Sequence, residues 1–570
     1  MHLRLRLHIP PLPSLEGPAW REYTLLALLL CTVFVVSLKP VDNSDTFWHL
    51  AVGREIGQTG HLVRTETFSH SAPGVPYYDE EWLFQTLAYP AWGILGFGGL
   101  SVLVAALAAL AVGLTYRSVR LLGGNAMALS LVVAAFMPAL QTRMVLRPDC
   151  LSLVFIMLLA EGLLRWDPGN SSGSRFWLFT TILLWLWCQF HGGWSYGFAL
   201  LAISTLGHTL DAWRSRSLHR GLLWKLVAPV GAPALAIFLN PFGWRIPWFP
   251  IKHLLSFTDP TLPTIAEWQH TPWAWSTSPV VALLFFAALA QFWPRRPIVF
   301  RDALWCSSQA GMGLYWARYA GYAGLTLAPF ASRDLVKLLR TPALRRLGWA
   351  LALLALLATA VTYHSLRRGP GDMLARYPVQ EARYLLDRGV SGKVLHNYEV
   401  GGYLAWVAPH QLFTFFDGRF FCFIQPSKDF RAADRSVQSY QAFLNQYGFD
   451  VALVPSRPFK LKGAIGEPPR GASTVLFPKE QWALVFFGEY GPVFLRRQPA
   501  YEAVIARDGY GVLRLDDLEY LLWAARLGKV DGTALEMDLL RAISQAGLGQ
   551  QAAPLREALA KLRSDRDQPL

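Results

Sequence analysis

The sequence predicts a polytopic α-helical membrane protein with about eleven transmembrane helices and a C-terminal soluble α/β domain. Three observations lead to this fold class. Hydrophobic residues make up 53% of the 570 residues and charged residues only 16%, whereas a soluble domain has about 25% charged residues. Apolar runs recur between residues 22 and 363, with short basic clusters between them. From Asp372 onward the pattern changes to alternating helices and strands.

The apolar runs are long enough, or nearly long enough, to cross a bilayer. They cover 22–38, 97–115, 126–141, 150–164, 176–190, 194–213, 223–239, 279–293, 303–316, 319–331 and 347–363. No small-residue cleavage site follows the first run, so we expect it to be retained as a span. Residues 303–331 are interpreted as two short spans, because one long span would bury Arg318 at mid-membrane, where a charge is expensive.

Basic residues show which membrane face is cytoplasmic. They precede the first run and follow the even-numbered runs, for example Arg117 and Arg120 after the second run and Arg333 and Lys337 after the tenth. Since cytoplasmic loops are rich in Lys and Arg, the N-terminus is predicted inside and the C-terminal domain outside. The expected location is the bacterial inner membrane, crossed several times and surrounded by membrane lipids.

Charge and cysteine content exclude two other classes of protein. The chain has 53 Lys and Arg against 39 Asp and Glu, a net charge of +14, but the excess lies in short loops rather than along a soluble surface. Nucleic-acid binding is therefore not expected. Four of the five cysteines fall in or beside apolar runs and only Cys422 lies beyond them, so no disulfide framework is implied.

Three regions are predicted along the chain. Residues 1–364 form the transmembrane domain, with a long first extracytoplasmic loop at 39–96. Residues 365–505 form an extracytoplasmic α/β domain with a small, mostly parallel sheet, and residues 506–570 form a helical segment for packing or partners. Asp417 and Arg419 follow a predicted strand, where ligands often bind. A turn with a structural Asp–Arg pair explains these two residues equally well.

Acidic, histidine and arginine side chains collect on the predicted outer face. The first loop contains Asp42, Asp45, His49, Glu66, Asp79, Glu80 and Glu81. Shorter outer segments contain Arg143 and Arg147, His191 in HGGW, Glu267 in IAEWQ, and Arg318. Acids and His suit metal binding or general-base catalysis, and Arg suits phosphate binding. Each residue alone has a simpler explanation, such as a solvated loop, a helix end or an arginine that reaches lipid head groups.

Several segments resemble, in order, bacterial membrane proteins of the GT-C glycosyltransferase superfamily. They are DTFWHLAVGREIGQTGHLVRTETFSHSAPG, EEWLFQ, RPDCLSLVF, HGGWSYGFAL, NPFGWR, EWQ, ARYAGYAGLTLAPF, HNYEVGGYLAWVAP, TFFDGR and QWALVFFGEYGPVFLRR. Together they cover about residues 40–500. Members of this superfamily are similar in architecture to oligosaccharyltransferase catalytic subunits and protein mannosyltransferases.

The resemblance implies a transferase that takes a sugar from a polyprenyl-phosphate carrier at the extracytoplasmic face. Asp45 occupies the place of the essential first-loop acid of the superfamily, and His49 and Glu81 are the further catalytic candidates. Arg143, Arg147 and Arg318 are expected to bind the donor phosphate. A divalent cation, Mg²⁺ or Mn²⁺, could be held by Asp42, Asp45 and His49. Glu80, His191, Glu267, Asp417 and Arg419 are additional site candidates.

The chain departs from the superfamily pattern at three positions. Asn43 stands where many relatives have Asp, Glu66 where Asp is usual, and Asp149 where Gln is common after Arg-Pro. The acceptor, whether glycan, lipid or protein, is not implied by the motifs. Two other functions remain open at this point: a transporter or flippase of a polyprenyl-linked or other anionic lipid, and a non-enzymatic membrane assembly protein.

Overall fold

The structure is a computed structural model. It describes residues 19–40, 43–169, 175–256, 279–292, 298–365, 376–453, 460–462, 466–547 and 552–566. These residues form two compact units. The first contains the described residues up to 40, from 78 to 256, and from 279 to 365, and the second contains those from 43 to 77 and from 376 onward.

The first unit is helical. Up to residue 365 the described helices are α1 (Ala19–Ser37), α2 (Ser44–Thr59), α3 (Trp82–Leu121), α4 (Ala126–Gln141), α5 (Asp149–Arg165), α6 (Phe176–Phe190), α7 (Trp194–Arg214), α8 (Arg220–Ala236), α9 (Arg245–Ser256), α10 (Pro279–Leu289), α11 (Phe300–Tyr315), α12 (Ala317–Leu338) and α13 (Pro342–Ser365). All of them except α2 belong to the first unit.

Helix length and outward-facing side chains make this a membrane protein. Helices α1 and α3 and residues Pro342–Tyr363 of α13 are long and apolar enough to cross a bilayer, and three further apolar helices are shorter. Large apolar side chains such as Ile94, Leu235 and Trp224 point outward, each more than 70% exposed. Among the described residues nearly all such side chains lie in the first unit, as expected for helices that face lipid. The predicted number of about eleven spans is not confirmed.

The segment predicted as the first outer loop, 39–96, contains helical residues. Helix α3 begins at Trp82, because residues 82–95 are mostly apolar, and its second part begins near residue 97, where the second apolar run begins. Gly96 joins the two parts of α3 with φ of 61°, a backbone conformation that favours glycine. Residues 44–59, also predicted within the loop, form α2. Residues 60–81 connect α2 to α3.

The region 303–331 contains two helices, as the sequence predicts. Helices α11 and α12 are separated at Trp316, whose backbone is extended (φ −121°, ψ 123°). Arg318 is consequently the second residue of α12, at the end of the helix rather than at its centre. This placement avoids the cost of burying a charge at mid-membrane.

The second unit contains a mixed sheet. Its strands are β1 (Gly392–His396), β2 (Leu412–Phe413), β3 (Val451–Leu453), β6 (Trp482–Phe487) and β7 (Pro492–Arg496), in the spatial order β2-β1-β3-β7-β6; β4 (Lys460–Leu461) and β5 (Arg470–Gly471) form a separate pair. Strand β1 is parallel to β2 and β3, but β7 is antiparallel to both β3 and β6. The turn between β6 and β7 is too short for a parallel crossover, so the sheet is less parallel than predicted.

Besides α2, the described helices of the second unit lie from Val379 onward. They are α14 (Val379–Asp387), α15 (Tyr398–Val407), α16 (Ile424–Ala433), α17 (Val437–Tyr447), α18 (Ser473–Leu476), α19 (Glu502–Asp508), α20 (Leu518–Arg526), α21 (Gly532–Ala546) and α22 (Ala552–Arg566). The last three are the amphipathic helices that the sequence predicts after residue 506. They pack on one another, and α21 also packs on β6.

Residues 43–77 belong to the second unit, although the sequence suggested that they form a loop of the transmembrane domain. His70 N donates to Thr414 O at 3.0 Å, and Thr414 N donates to Phe68 O at 3.1 Å. Arg54 Nη2 donates to the carbonyl of Ala405 in α15 at 3.2 Å. These bonds join residues more than 300 positions apart, a separation that local sequence patterns cannot reveal.

The predicted orientation of the chain can be tested with reporter fusions. A reporter that is active only in the cytoplasm is expected to be inactive when fused after residue 370 and active when fused after Leu121, at the end of α3. The reason is the concentration of Arg and Lys on one side of the predicted spans. Cytoplasmic activity of the fusion after residue 370 would contradict the prediction that the C-terminal unit is outside.

Candidate functional site

The candidate site of the first unit is centred on Asp149, the first residue of α5. The sequence Arg-Pro-Asp begins the helix there, and an acidic residue in the first turn is favoured by the helix dipole. The carboxylate is 1% exposed. Arg143 Nη1 donates to Asp149 Oδ2 at 3.2 Å, and Tyr322 Oη donates to Oδ1 at 2.7 Å. Residues from three helix ends thus meet at one buried carboxylate.

Two further arginines approach the same carboxylate. Arg147 Nε and Arg318 Nη2 each lie 3.9 Å from Asp149 Oδ2. The side chain of Arg143 is 4% exposed, and those of Arg147 and Arg318 are 16% and 15% exposed. Three guanidinium groups surround this single carboxylate, and Glu80 and Glu81 add acidic groups nearby. The arrangement suits an anion, because arginine binds phosphate through several directed N–H groups.

Gly321, in the ARYAGYAG motif, allows α12 to pack close to α4. A Cβ atom on Gly321 of α12 would lie 3.1 Å from the carbonyl oxygen of Ala139 in α4 and 3.2 Å from Cγ of Arg143. A larger residue would push α12 away from α4. Gly321 therefore helps Tyr322 and Arg318, its neighbours on α12, to reach the cluster.

His191 joins the cluster from the end of α6. Its Nε2 atom lies 3.8 Å from Asp149 Oδ1, 3.8 Å from Glu81 Oε1 and 3.4 Å from Arg318 Nη2. The imidazole is almost completely buried, with its side chain 4% exposed. The structure thus places His191, the residue that follows α6, beside Asp149 and Arg318.

The three acidic residues before α3 have different positions. Asp79 Oδ1 accepts hydrogen bonds from Glu81 N at 3.0 Å and from Gln85 Nε2 at 2.9 Å, so Asp79 stabilises the start of the helix. Glu81 faces His191, and Glu80 interacts electrostatically with Arg318. Desolvation raises the pKa of the Glu80 carboxyl to about 7, although Arg318 lowers it in part. Glu80 and Glu81 therefore bring acidic groups to the arginine cluster.

Asp45 lies in the second unit, in the first turn of α2. The helix is capped by Asn43, whose side chain accepts a hydrogen bond from Asp45 N at 3.0 Å, so Asp45 is not itself the cap. Asp45 Oδ1 accepts a hydrogen bond from Trp48 Nε1 at 3.1 Å. Gly418 of the TFFDGR motif packs against both side chains, and a Cβ atom there would collide with them. Two motifs about 370 residues apart are thereby brought together.

His49 occupies a more buried position than Asp45. It is 1% exposed, and its ring lies 3.7 Å from that of Trp48 between centroids. Among the described residues no group of three His, Cys, Asp or Glu side chains is arranged to hold a metal ion. Asp42, the third proposed ligand, lies outside the described residues. So does Glu267.

Asp417 and Arg419 form a buried ion network with Glu66. Arg419 Nε donates to Asp417 Oδ1 at 2.9 Å, and its Nη1 pairs with Glu66; all three side chains are 0% exposed. Glu66 Oε1 also accepts hydrogen bonds from the amides of Phe68 and Ser69. Burial raises the pKa of Glu66, while Arg419 partly lowers it. These contacts favour a structural role, because the network ties residues 43–77 to the rest of the second unit.

The structure brings together six predicted site residues in the first unit. They are Glu80, Glu81, Arg143, Arg147, His191 and Arg318. Their central partner, Asp149, is not among the site residues that the sequence predicts and stands there only as a departure from the family pattern. A charged residue at the start of an apolar helix is nevertheless a usable signal, since such a charge requires a partner. Tyr322 carries no comparable signal.

No protein-family model matches the chain, and no curated protein matches it. Among solved structures, the chain is similar to the oligosaccharyltransferase of Archaeoglobus fulgidus, which was crystallised with a tethered acceptor peptide containing an NVT sequon. The identity is 13% over 76% of this chain and 69% of that one, with a TM-score of 0.48.

Proposed function

We propose that this protein is a membrane glycosyltransferase of the GT-C type that transfers a sugar from a polyprenyl-phosphate donor to an acceptor on the extracytoplasmic face. The convergence of Arg143, Arg147, Arg318 and His191 around Asp149 carries the proposal. Glycosyl transfer from such a donor breaks the bond between the anomeric carbon and a phosphate oxygen. The departing phosphate gains negative charge, which fixed positive groups stabilise.

Asp149 has a positioning role in this proposal. Its two oxygens are hydrogen-bonded to Arg143 and Tyr322, and Arg147 and Arg318 lie within 4 Å. The carboxylate thereby holds cationic side chains in place before the donor arrives. Such preorganisation is more effective than mobile charge, since no reorganisation is needed as the phosphate departs. Arg147 and Arg318 are the more exposed arginines and are proposed to contact the phosphate directly.

Asp45 is proposed to orient or deprotonate the acceptor hydroxyl, amide or amine. The sequence resemblance supports this role, as does the position of its carboxylate at the start of α2, where Trp48 and Gly418 fix it. Glu81 is proposed as a second acidic residue of the reaction. Asp45 and His49, with Asp42, are proposed as the residues that would hold a divalent cation, which would polarise an oxygen atom of a substrate.

The role of the arginines is tested by paired substitutions. Arg318→Ala and Arg147→Ala are each expected to weaken binding of a synthetic polyprenyl-phosphate sugar by about tenfold or more, because hydrogen bonds to charged groups contribute about 1.5–3 kcal/mol. Lysine at either position is expected to restore only part of the affinity, since it keeps the charge but loses the planar guanidinium. Binding to the purified chain in nanodiscs provides the measurement.

Arg340→Ala is the matched control, because Arg340 is exposed at the end of α12 and its Nε donates to the carbonyl of Lys337. This variant is expected to bind the donor normally. Normal affinity in both alanine variants at 147 and 318 would remove these residues from the phosphate site.

Mass spectrometry of lipid-linked sugars that accumulate in a deletion strain would identify the donor. The flippase alternative predicts a different result. The protein would bind the lipid through its phosphate and move it across the membrane, but would transfer no sugar.

A further inference from the structure

The two glycines of the HGGW motif pack closely against Glu80, His191 and Ser152. A Cβ atom on Gly192 would lie 2.5 Å from Glu80 Oε2, and one on Gly193 would lie 2.7 Å from His191 Nδ1 and 2.8 Å from Ser152 Oγ. Real Cβ atoms do not approach other atoms so closely. The two glycines therefore leave room for the Glu80 carboxylate and for a hydrogen-bonded arrangement around the His191 ring.

The Nδ1 side of His191 faces two hydrogen-bond donors. Gly193 N lies 3.2 Å from Nδ1, and a backbone amide can only donate. Ser152 Oγ lies 2.7 Å from Nδ1 and also accepts a hydrogen bond from the indole Nε1 of Trp187 at 2.7 Å. The Ser152 hydroxyl proton is thus available for Nδ1. With Nδ1 as acceptor, the proton of the neutral ring is on Nε2.

The surroundings of Nε2 agree with this tautomer. Carboxylate oxygens of Asp149 and Glu81, each 3.8 Å away, attract an N–H group and repel a nitrogen lone pair. In the other tautomer Arg318 Nη2, at 3.4 Å, would donate to Nε2. The protonated Nδ1 would then face the Gly193 amide, whose N–H is fixed in the backbone, and two buried donors opposed to each other are costly. In the Nε2–H tautomer the opposed donor is Arg318 Nη2, which belongs to a flexible side chain and can share an acceptor with Nε2.

We propose that His191 is a neutral hydrogen-bond donor that binds a phosphate oxygen of the sugar donor through Nε2–H, beside Arg318. Ser152 and Trp187 are positioning residues that hold the imidazole in this tautomer. Nε2 of His191 and Nη2 of Arg318 are close enough for both to donate to one phosphate oxygen. A ring protonated at Nε2 cannot accept a proton there, so His191 is not the general base. This inference rests on the proposed function, because it requires a phosphate ligand at the cluster.

The tautomer is measurable without any ligand. Nitrogen-15 NMR of the full chain with labelled histidine distinguishes a protonated from an unprotonated ring nitrogen, and His191→Gln identifies the His191 signals among those of the 13 histidines. We expect protonation at Nε2 alone. Ser152→Ala and Trp187→Phe, which keeps an aromatic ring, are expected to shift the signals toward a mixture of tautomers. Ser204→Ala, at a fully buried serine of α7, is the control and should leave them unchanged. A proton on Nδ1 in the unmodified chain would overturn the inference.

The binding role is tested with farnesyl phosphate and, as its uncharged counterpart, farnesol. Gln can place an amide N–H near the position of Nε2, whereas the shorter Asn cannot. His191→Asn is therefore expected to weaken binding of farnesyl phosphate by about tenfold, and His191→Gln by less than about threefold. Equal affinity of the unmodified chain for both compounds would overturn the phosphate site and this inference together. If His191→Asn binds farnesyl phosphate more tightly than farnesol by the same factor as the unmodified chain, the role of His191 is overturned but the phosphate site is not.

Discussion

Asp149→Asn is expected to destabilise the first unit by about 3–5 kcal/mol, the usual effect of removing one partner from a buried ion pair. The substitution keeps the size of the side chain but removes the charge that holds Arg143, whose side chain is 4% exposed. Arg143 would then be buried without this counter-ion, and an amide N–H group would face either the guanidinium or the Tyr322 hydroxyl. Thermal unfolding in detergent, followed by the fluorescence of buried tryptophans, measures the effect.

A double substitution separates loss of the ion pair from general damage. Replacing Arg143 with Met in the Asp149→Asn background removes both charges, and the double variant is expected to be more stable than Asp149→Asn alone. Asp167→Asn is the control, since Asp167 is exposed after α5 and surface substitutions usually change stability by less than about 0.5 kcal/mol. Unchanged unfolding of Asp149→Asn would show that the carboxylate does not stabilise the arginine cluster.

Asp45→Asn is expected to reduce sugar transfer by at least about a hundredfold while the protein still folds and inserts, because the substitution removes a catalytic charge. The structure explains why folding should survive. Asn43 caps α2, and the hydrogen bond from Trp48 Nε1 requires only an oxygen acceptor, which Asn also provides. Transfer from a lipid-linked donor, measured in nanodiscs beside an unfolding curve, tests both parts of the expectation.

Asn43→Ala gives the matched control for this experiment. It removes the cap and is expected to cost about 1 kcal/mol of stability, with sugar transfer retained below the unfolding temperature. The pair of variants thus separates the charge of Asp45 from the integrity of the helix on which it lies. Full activity in Asp45→Asn would remove Asp45 from the catalytic residues, whatever the result for Asn43→Ala.

Some site residues could be predicted from the sequence because their chemistry was unusual for their surroundings. Arg318 lies between two short apolar runs, where a charge needs a reason, and the structure places it at the helix end beside His191. Arg143 and Arg147 were candidates because arginine suits phosphate binding and both fall on the predicted outer face. Asp149 was overlooked because its importance comes from partners such as Tyr322, 173 positions away, and no local pattern indicates such a pairing.

Asp417 and Arg419 had two explanations in the sequence, a ligand site after a strand and a turn with a structural Asp–Arg pair. The structure buries both side chains in a network with Glu66, which favours the structural role. Position at a strand end is a local property, whereas the buried partner comes from residues 43–77, more than 300 positions earlier.

The sequence by itself determined the membrane class, the break between α11 and α12, and strands β1 and β3. Each follows from local composition or periodicity, because a lipid-facing helix or a buried strand imposes its pattern on consecutive residues. Only the tertiary structure decided that residues 43–77 join the C-terminal unit, that β7 runs antiparallel to β3, and that Asp149 gathers three arginines. These outcomes depend on packing and charge pairing between distant segments, and the free energy of such contacts is not encoded in any short stretch of the chain.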